Sequence, residues 1–145
     1  NLWAKKIRVK IFLAGKREDV KNEARINLEI LLRLGQKIVE LDDSNIDKVK
    51  LSSCSVIVDA LLGVGITGQI KDLYKKIIEL INISQLKVLS VDIPSGLDAS
   101  NGRILGCCVK AYKTITFVAF KKAMQYKEAL KYCGEISVSS IGVPL

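Results

Sequence analysis

The chain has 145 residues, enough for one domain with a sizeable core, and 23 basic against 15 acidic side chains give a net charge of +8. No apolar run approaches the roughly twenty residues of a membrane helix, and the opening Asn-Leu-Trp-Ala-Lys-Lys is too short and too charged for a secretory signal, so no membrane role and a cytoplasmic location are expected. The lysines are spread along predicted helices and no aromatic-interleaved RNA motif is present, which argues against nucleic acid and for a solvated surface or an anionic ligand.

Almost half of the residues are apolar (49%), Ile, Val and Leu abound, and aromatics make up 6%, a composition that suits a parallel sheet covered by helices. Four cysteines, Cys54, Cys107, Cys108 and Cys133, lack paired spacing, and there is no His to serve as co-ligand or base. Zinc sites and Cys-His catalysis are therefore disfavoured, and a reduced chain is expected.

Residues 7–13 alternate apolar with basic side chains before turning purely apolar and read as a strand ended by Ala14 and Gly15. Val20, Ala24, Leu28, Leu31 and Leu32 then recur at helical spacing, with Glu18 and Asp19 at the start, Arg33 at the end and Gly35 as a stop. Residues 37–41 give a second strand and 42–50 a polar connector with one helical turn, completing a β-α-β opening.

Residues 55–62 form a β-branched run interrupted by Asp59, an acid that is costly there unless it is solvated, paired or bound to a cation. Gly63-Val64-Gly65-Ile66-Thr67-Gly68-Gln69 follows directly, and a helix runs from about Lys71 through Leu73, Ile77, Leu80 and Ile81. The glycine spacing matches a dinucleotide fingerprint. The acidic residue expected about twenty positions on is missing, however, because Asp92 lies nearly thirty residues beyond Gly63. On this ground a dehydrogenase reading is weak, and the loop alone is equally a surface turn.

The strand at 86–90 leads into Val91-Asp92-Ile93-Pro94-Ser95-Gly96-Leu97-Asp98. Pro94 and Gly96 turn the chain out of the sheet and leave Asp92, Ser95 and Asp98 at a strand's carboxyl end, where open α/β sheets bind ligands. A tight turn at 99–102 precedes an irregular stretch to Cys108. Residues 113–120 read as a strand, with Lys121 and Lys122 at its end either meeting a phosphate or solvated. Residues 123–132 read as a helix stopped by Gly134, and 135–140 as a last strand.

Several of these motifs, in this order, resemble the YjeF N-terminal domain family, the fold of NAD(P)H-hydrate epimerase. They are Phe12-Leu13-Ala14-Gly15, Asn27-Leu28-Glu29-Ile30-Leu31, Asp59-Ala60-Leu61-Leu62-Gly63 with its loop, the Asp92–Asp98 turn, Thr114-Ile115-Thr116-Phe117 with Lys121, Gly134-Glu135-Ile136 and Ile141-Gly142-Val143-Pro144. The resemblance spans essentially the whole chain. It implies a Rossmann-like three-layer α/β/α sandwich with a mostly parallel sheet, a homodimer, and action on hydrated NADH or NADPH. It also implies that Asp59 and Ser95 help to hold a potassium ion, that 63–69 binds the substrate, and that Asp92 contacts it, with a dehydratase as second domain or separate enzyme of the same repair. Asp92, and after it Asp59, is the expected acid/base group.

The chain departs from the family pattern in two places. The family opens with a helical segment and a Gly-Asn-Asn-Gly-Gly-Asp-Gly type loop that cradles phosphate. Nothing here matches it; residues 1–6 read as the tail of the helix that follows, so 1–145 is expected to be an N-terminally incomplete domain. Tyr112 stands where the family usually has Asp. The alternative function is a non-catalytic nucleotide- or RNA-associated binding or dimerisation module of the same fold.

Overall fold

A computed structural model describes residues 5, 7–66 and 68–142, so Thr67, the closing 143–145 and, apart from Lys5, the expected helix tail at 1–6 lie outside the described residues. The chain divides into two compact units, Asn1–Lys48 and Val49–Leu145. It is a mixed α/β protein whose six described strands pair in parallel, with one isolated antiparallel bridge between Leu97 and Ile104, as the expectation of a mostly parallel Rossmann-like sheet requires.

The first unit is β1 (Ile11–Ala14), α1 (Asn22–Arg33) and β2 (Ile38–Leu41), with one 3-10 turn before α1 and another after β2. β1 and β2 pair from Ile11 opposite Ile38 to Ala14 opposite Leu41. The strand expected from residue 7 starts at Ile11 because β2 offers a partner to four residues only. Helix α1 ends as read: the N–H groups of Gly35 and Gln36 bond the carbonyls of Leu32 and Leu31, which the helix itself leaves unpaired. Among the described residues of this unit, Leu28, Ile38, Leu41 and Ile46 are the buried apolar ones.

The second unit contains β3 (Val56–Asp59), α2 (Asp72–Ile83), β4 (Lys87–Val91), β5 (Lys113–Phe117), α3 (Lys127–Cys133) and β6 (Glu135–Ser139). The sheet order β3-β4-β5-β6 follows the chain. One face is largely covered: Val88, Ser90, Thr114 and Thr116 are buried on it, while Val138 of β6, opposite Thr116, stays exposed; α2 buries Ile77, Ile78 and Ile81, and α3 buries Ala129 and Cys133. Thr114 is accommodated there because its hydroxyl donates to the carbonyl of Cys133 at 2.7 Å. On β3 the alternate residues Val56 and Val58 remain exposed. The helix expected over 123–132 is divided instead into a 3-10 turn (Lys122–Gln125) and α3, with extended backbone at Tyr126 between them.

Gly134 links α3 to β6 at φ +60°, and a Cβ there would collide with the carbonyl group of Tyr112. Only glycine allows that approach. No described helix is long and apolar enough to cross a membrane.

Candidate functional site at the carboxyl ends of β3 to β5

Asp59 ends β3 and is almost completely enclosed, with 1% of its surface exposed. Four donors surround its carboxylate. Ser90, its register partner on β4, donates its hydroxyl to Oδ2 at 2.8 Å; Ser95 donates its N–H to Oδ2 at 2.9 Å and its hydroxyl to Oδ1 at 2.5 Å; and Leu61 donates its N–H to Oδ1 at 3.4 Å. Ser95 Oγ also accepts the N–H of Leu62 at 2.9 Å and lies 3.2 Å from that residue's carbonyl oxygen. The strand therefore ends at Asp59, short of the residue 62 expected, with the Leu61 N–H turned to the Asp59 carboxylate and the Leu62 N–H to Ser95.

Ser95 is placed by the turn after β4. Pro94 blocks continuation of the ladder, and Gly96 takes φ +98° with its α-carbon against the backbone of Cys107 and Cys108, where a Cβ would clash. The carbonyl of Ser95 accepts the N–H of Val109 and that of Gly96 accepts the N–H of Leu105, so the irregular 103–109 stretch braces the turn.

Asp92 belongs to a different cluster. Its backbone sits in the left-handed region at φ +68°, tolerable for an aspartate, and its N–H still bonds the carbonyl of Ile115. Oδ1 receives the Lys121 ammonium at 2.7 Å, the Phe117 N–H at 2.9 Å and the Thr116 hydroxyl at 3.2 Å. Partial burial pushes this carboxyl up, but Lys121 and the N–H and hydroxyl donors outweigh it and hold the group below the usual aspartate value. Lys121, read as solvated or phosphate-facing, instead pairs with Asp92.

The glycine-rich loop is divided between two cavities of about 380 Å³ each. Residues 63–66 and 97–100 line one; Gln69, Lys71, Lys75 and Gly106 are among those lining the other. Gly68 lines neither and Thr67 lies outside the described residues. Asp98 borders the first cavity, its carboxylate occupied by Ser100 and Asn101, whose donors lower its pKa. The structure thus joins Asp59 to Ser95, joins Asp92 to Lys121, and lines neither cavity with Asp59 or Asp92. Ser90 and Thr116 escaped the sequence reading; the signal was a small hydroxyl residue at alternate positions of an apolar strand, opposite an acid.

Parallel strands in chain order, with acids and serines gathered where β3 and β4 end, define a Rossmann-like α/β domain of the kind that binds ligands at that edge. Comparison with known sequences makes this specific: the chain belongs to the family described as YjeF-related protein N-terminus, whose sequence profile matches residues 1–123. NAD(P)H-hydrate epimerase of Oenococcus oeni is 39% identical over 142 residues, covering 98% of this chain and 65% of that protein. The bifunctional NAD(P)H-hydrate repair enzyme Nnr of Moorella thermoacetica is 34% identical over 139 residues, 94% of this chain and 26% of the relative. The chain thus spans just under two thirds of the first relative and about a quarter of the second. The crystal structure of a yeast protein, ynu0, shares the fold with a TM-score of 0.68 at 18% identity, over 92% of this chain and 56% of that one.

Proposed function

We propose that this chain forms the epimerase domain of NAD(P)H-hydrate repair, interconverting the R and S forms of hydrated NADH and NADPH at C6 of the reduced ring. The observation that carries the reading is Asp92, a carboxylate at a strand's carboxyl end with three donors on Oδ1 and none described on Oδ2. Residues 63–66 and 97–100 offer a cavity for part of the dinucleotide, and we assign substrate contacts to 63–69 and Asp92.

Breaking the C6–O bond sends its electron pair to the departing hydroxide and leaves a cation shared with the ring nitrogen. Water then adds to the opposite face, giving up the proton that the hydroxide takes, so composition is unchanged and configuration inverts. An anionic Asp92 stabilises that cation and passes the proton, and its lowered pKa makes the counter-charge role the larger one. Asp59, enclosed by its four donors, serves the architecture of the edge and is the second choice, after Asp92, for moving the proton.

Potassium is the cofactor proposed, held by Asp59 and Ser95. The oxygen types suit a hard cation, carboxylate and hydroxyl with the Leu62 carbonyl nearby, and no described Lys or Arg pairs with the buried Asp59; an ion there would take the place of hydrogen bonds that the Asp59 oxygens accept in this structure. When bound, the ion supplies positive charge that balances Asp59. The partners proposed are a second copy of the chain and a dehydratase acting on the same hydrates, and the compartment is the cytoplasm.

The test follows pure R or S hydrate by chromatography in potassium buffer. Approach to one common mixture from either side, faster than in buffer alone, is the expected result. No acceleration, in this chain or in one preceded by the family's phosphate-loop segment, would favour the binding-module reading.

A further inference from the structure

We infer that Lys121 is the positioning residue of this site: it anchors Oδ1 of Asp92 and so leaves Oδ2 as the oxygen presented to the bound ring. What Oδ2 meets rests on the epimerase reading. The anchoring itself rests on geometry alone.

All three donors to Oδ1 come from the exit of β5, namely Thr116, Phe117 and Lys121. That exit is built to bring Lys121 back over the strand end. Val118 takes φ +66°, a left-handed conformation that is costly for a β-branched residue, while its N–H bonds Ser139 and the Ala119 N–H bonds the carbonyl of Phe117. The chain folds back there, and the Lys121 ammonium reaches both the Phe117 carbonyl at 3.1 Å and Asp92 at 2.7 Å. Its own carbonyl accepts the N–H of Met124, which fixes the base of the side chain as the residue before the 3-10 turn.

The pair is largely shielded, with 21% of the Lys121 side chain and 18% of the Asp92 side chain exposed. Salt screens such a pair less than a surface one. Thr116 and Phe117 alone would leave the carboxylate two weaker donors and no balancing charge, free to rotate Oδ2 away from the ligand. Arginine in place of Lys121 keeps the charge but carries a broader fork, so it restores the anchor in part.

The experiment compares wild type, Lys121→Gln and Lys121→Arg by two readouts. The first is the titration of the Asp92 carboxyl carbon by NMR on the free protein. In Lys121→Gln the midpoint is expected to move upward, because the cation that lowers it is gone; in Lys121→Arg it stays near wild type. The second is hydrate interconversion, where Lys121→Gln is expected to lower kcat about 100-fold with KM changed less than about threefold, and Lys121→Arg to recover at least about tenfold of that loss.

An Asp92 midpoint that does not move in Lys121→Gln overturns the inference, as does equal loss of kcat in both variants. Should Lys121→Gln fail to fold, the charge-keeping Lys121→Arg decides: a raised Asp92 midpoint overturns the anchor, and a wild-type midpoint with partial activity supports it. A wild-type chain that never interconverts the hydrates sinks the epimerase reading by itself, and the NMR titration still decides whether Lys121 holds Asp92.

Discussion

Asp59 and Ser95 lie 36 residues apart in the chain and meet through two hydrogen bonds, from the serine N–H to Oδ2 at 2.9 Å and from its hydroxyl to Oδ1 at 2.5 Å. The same hydroxyl accepts the N–H of Leu62, so one side chain ties the end of β3, the start of the glycine loop and the turn after β4 together. Both residues are 1% exposed, so water cannot substitute for a lost partner.

Ser95→Ala is therefore expected to destabilise the fold by about 1–3 kcal/mol, the cost of a buried acceptor left short of a donor. Urea unfolding monitored by circular dichroism measures it. A change below about 0.5 kcal/mol would mean that the Asp59 carboxylate finds another partner.

Gly96→Ala meets two obstacles at once, φ +98° and the Cys107 backbone in the space its methyl group would need. A loss of about 3 kcal/mol or more is expected in the same unfolding measurement. An alanine accepted at less than about 1 kcal/mol would show that the 93–109 loop is free to retreat from the turn.

Acid should weaken the protein partly through Asp92. Its folded-state pKa is depressed, so the stability it contributes is fully present above the unfolded value of about 3.9 and is lost as pH falls through the lower folded value. Stability curves of wild type and Asp92→Asn are expected to converge as the pH drops from about 4 toward 2, because the difference between them is the ionised pair with Lys121. Curves that stay parallel over that range would show that the pair contributes nothing to folding.

The cysteines should divide by burial. Burial raises the Cys133 thiol to about 11, and burial together with the nearby Asp59 carboxylate pushes Cys108 higher still. Alkylation of the native protein near pH 8, read by mass spectrometry, is expected to label the half-buried Cys54 and Cys107 first. Rapid labelling of Cys133 would mean that α3 opens readily from the sheet.

Much of this architecture is legible in the residues because apolar runs of strand length end in Gly, Pro or Asp. Asp59 and Asp92 stand out as acids placed where an apolar strand ought to continue. What escapes such reading is pairing across the sheet. Residues 7–10 carry strand-like alternation, yet a strand forms only where β2 offers a partner, from Ile11 onward. Residues 118–120 have strand composition, yet Val118 turns the chain so that Lys121 reaches Asp92. Ser90 reads as one polar letter in an apolar run until register sets it opposite Asp59. Each of these facts depends on a neighbour far along the chain, and no local pattern encodes it.

The proposed chemistry stands on the Asp92 carboxylate, and the rate of hydrate interconversion by Asp92→Asn tests it most directly. With kcat and KM measured by chromatography from pure S hydrate in potassium buffer, the variant is expected to keep KM within about threefold while kcat falls by at least about 100-fold. A variant that interconverts the epimers as fast as wild type would contradict the account and remove Asp92 from the reaction.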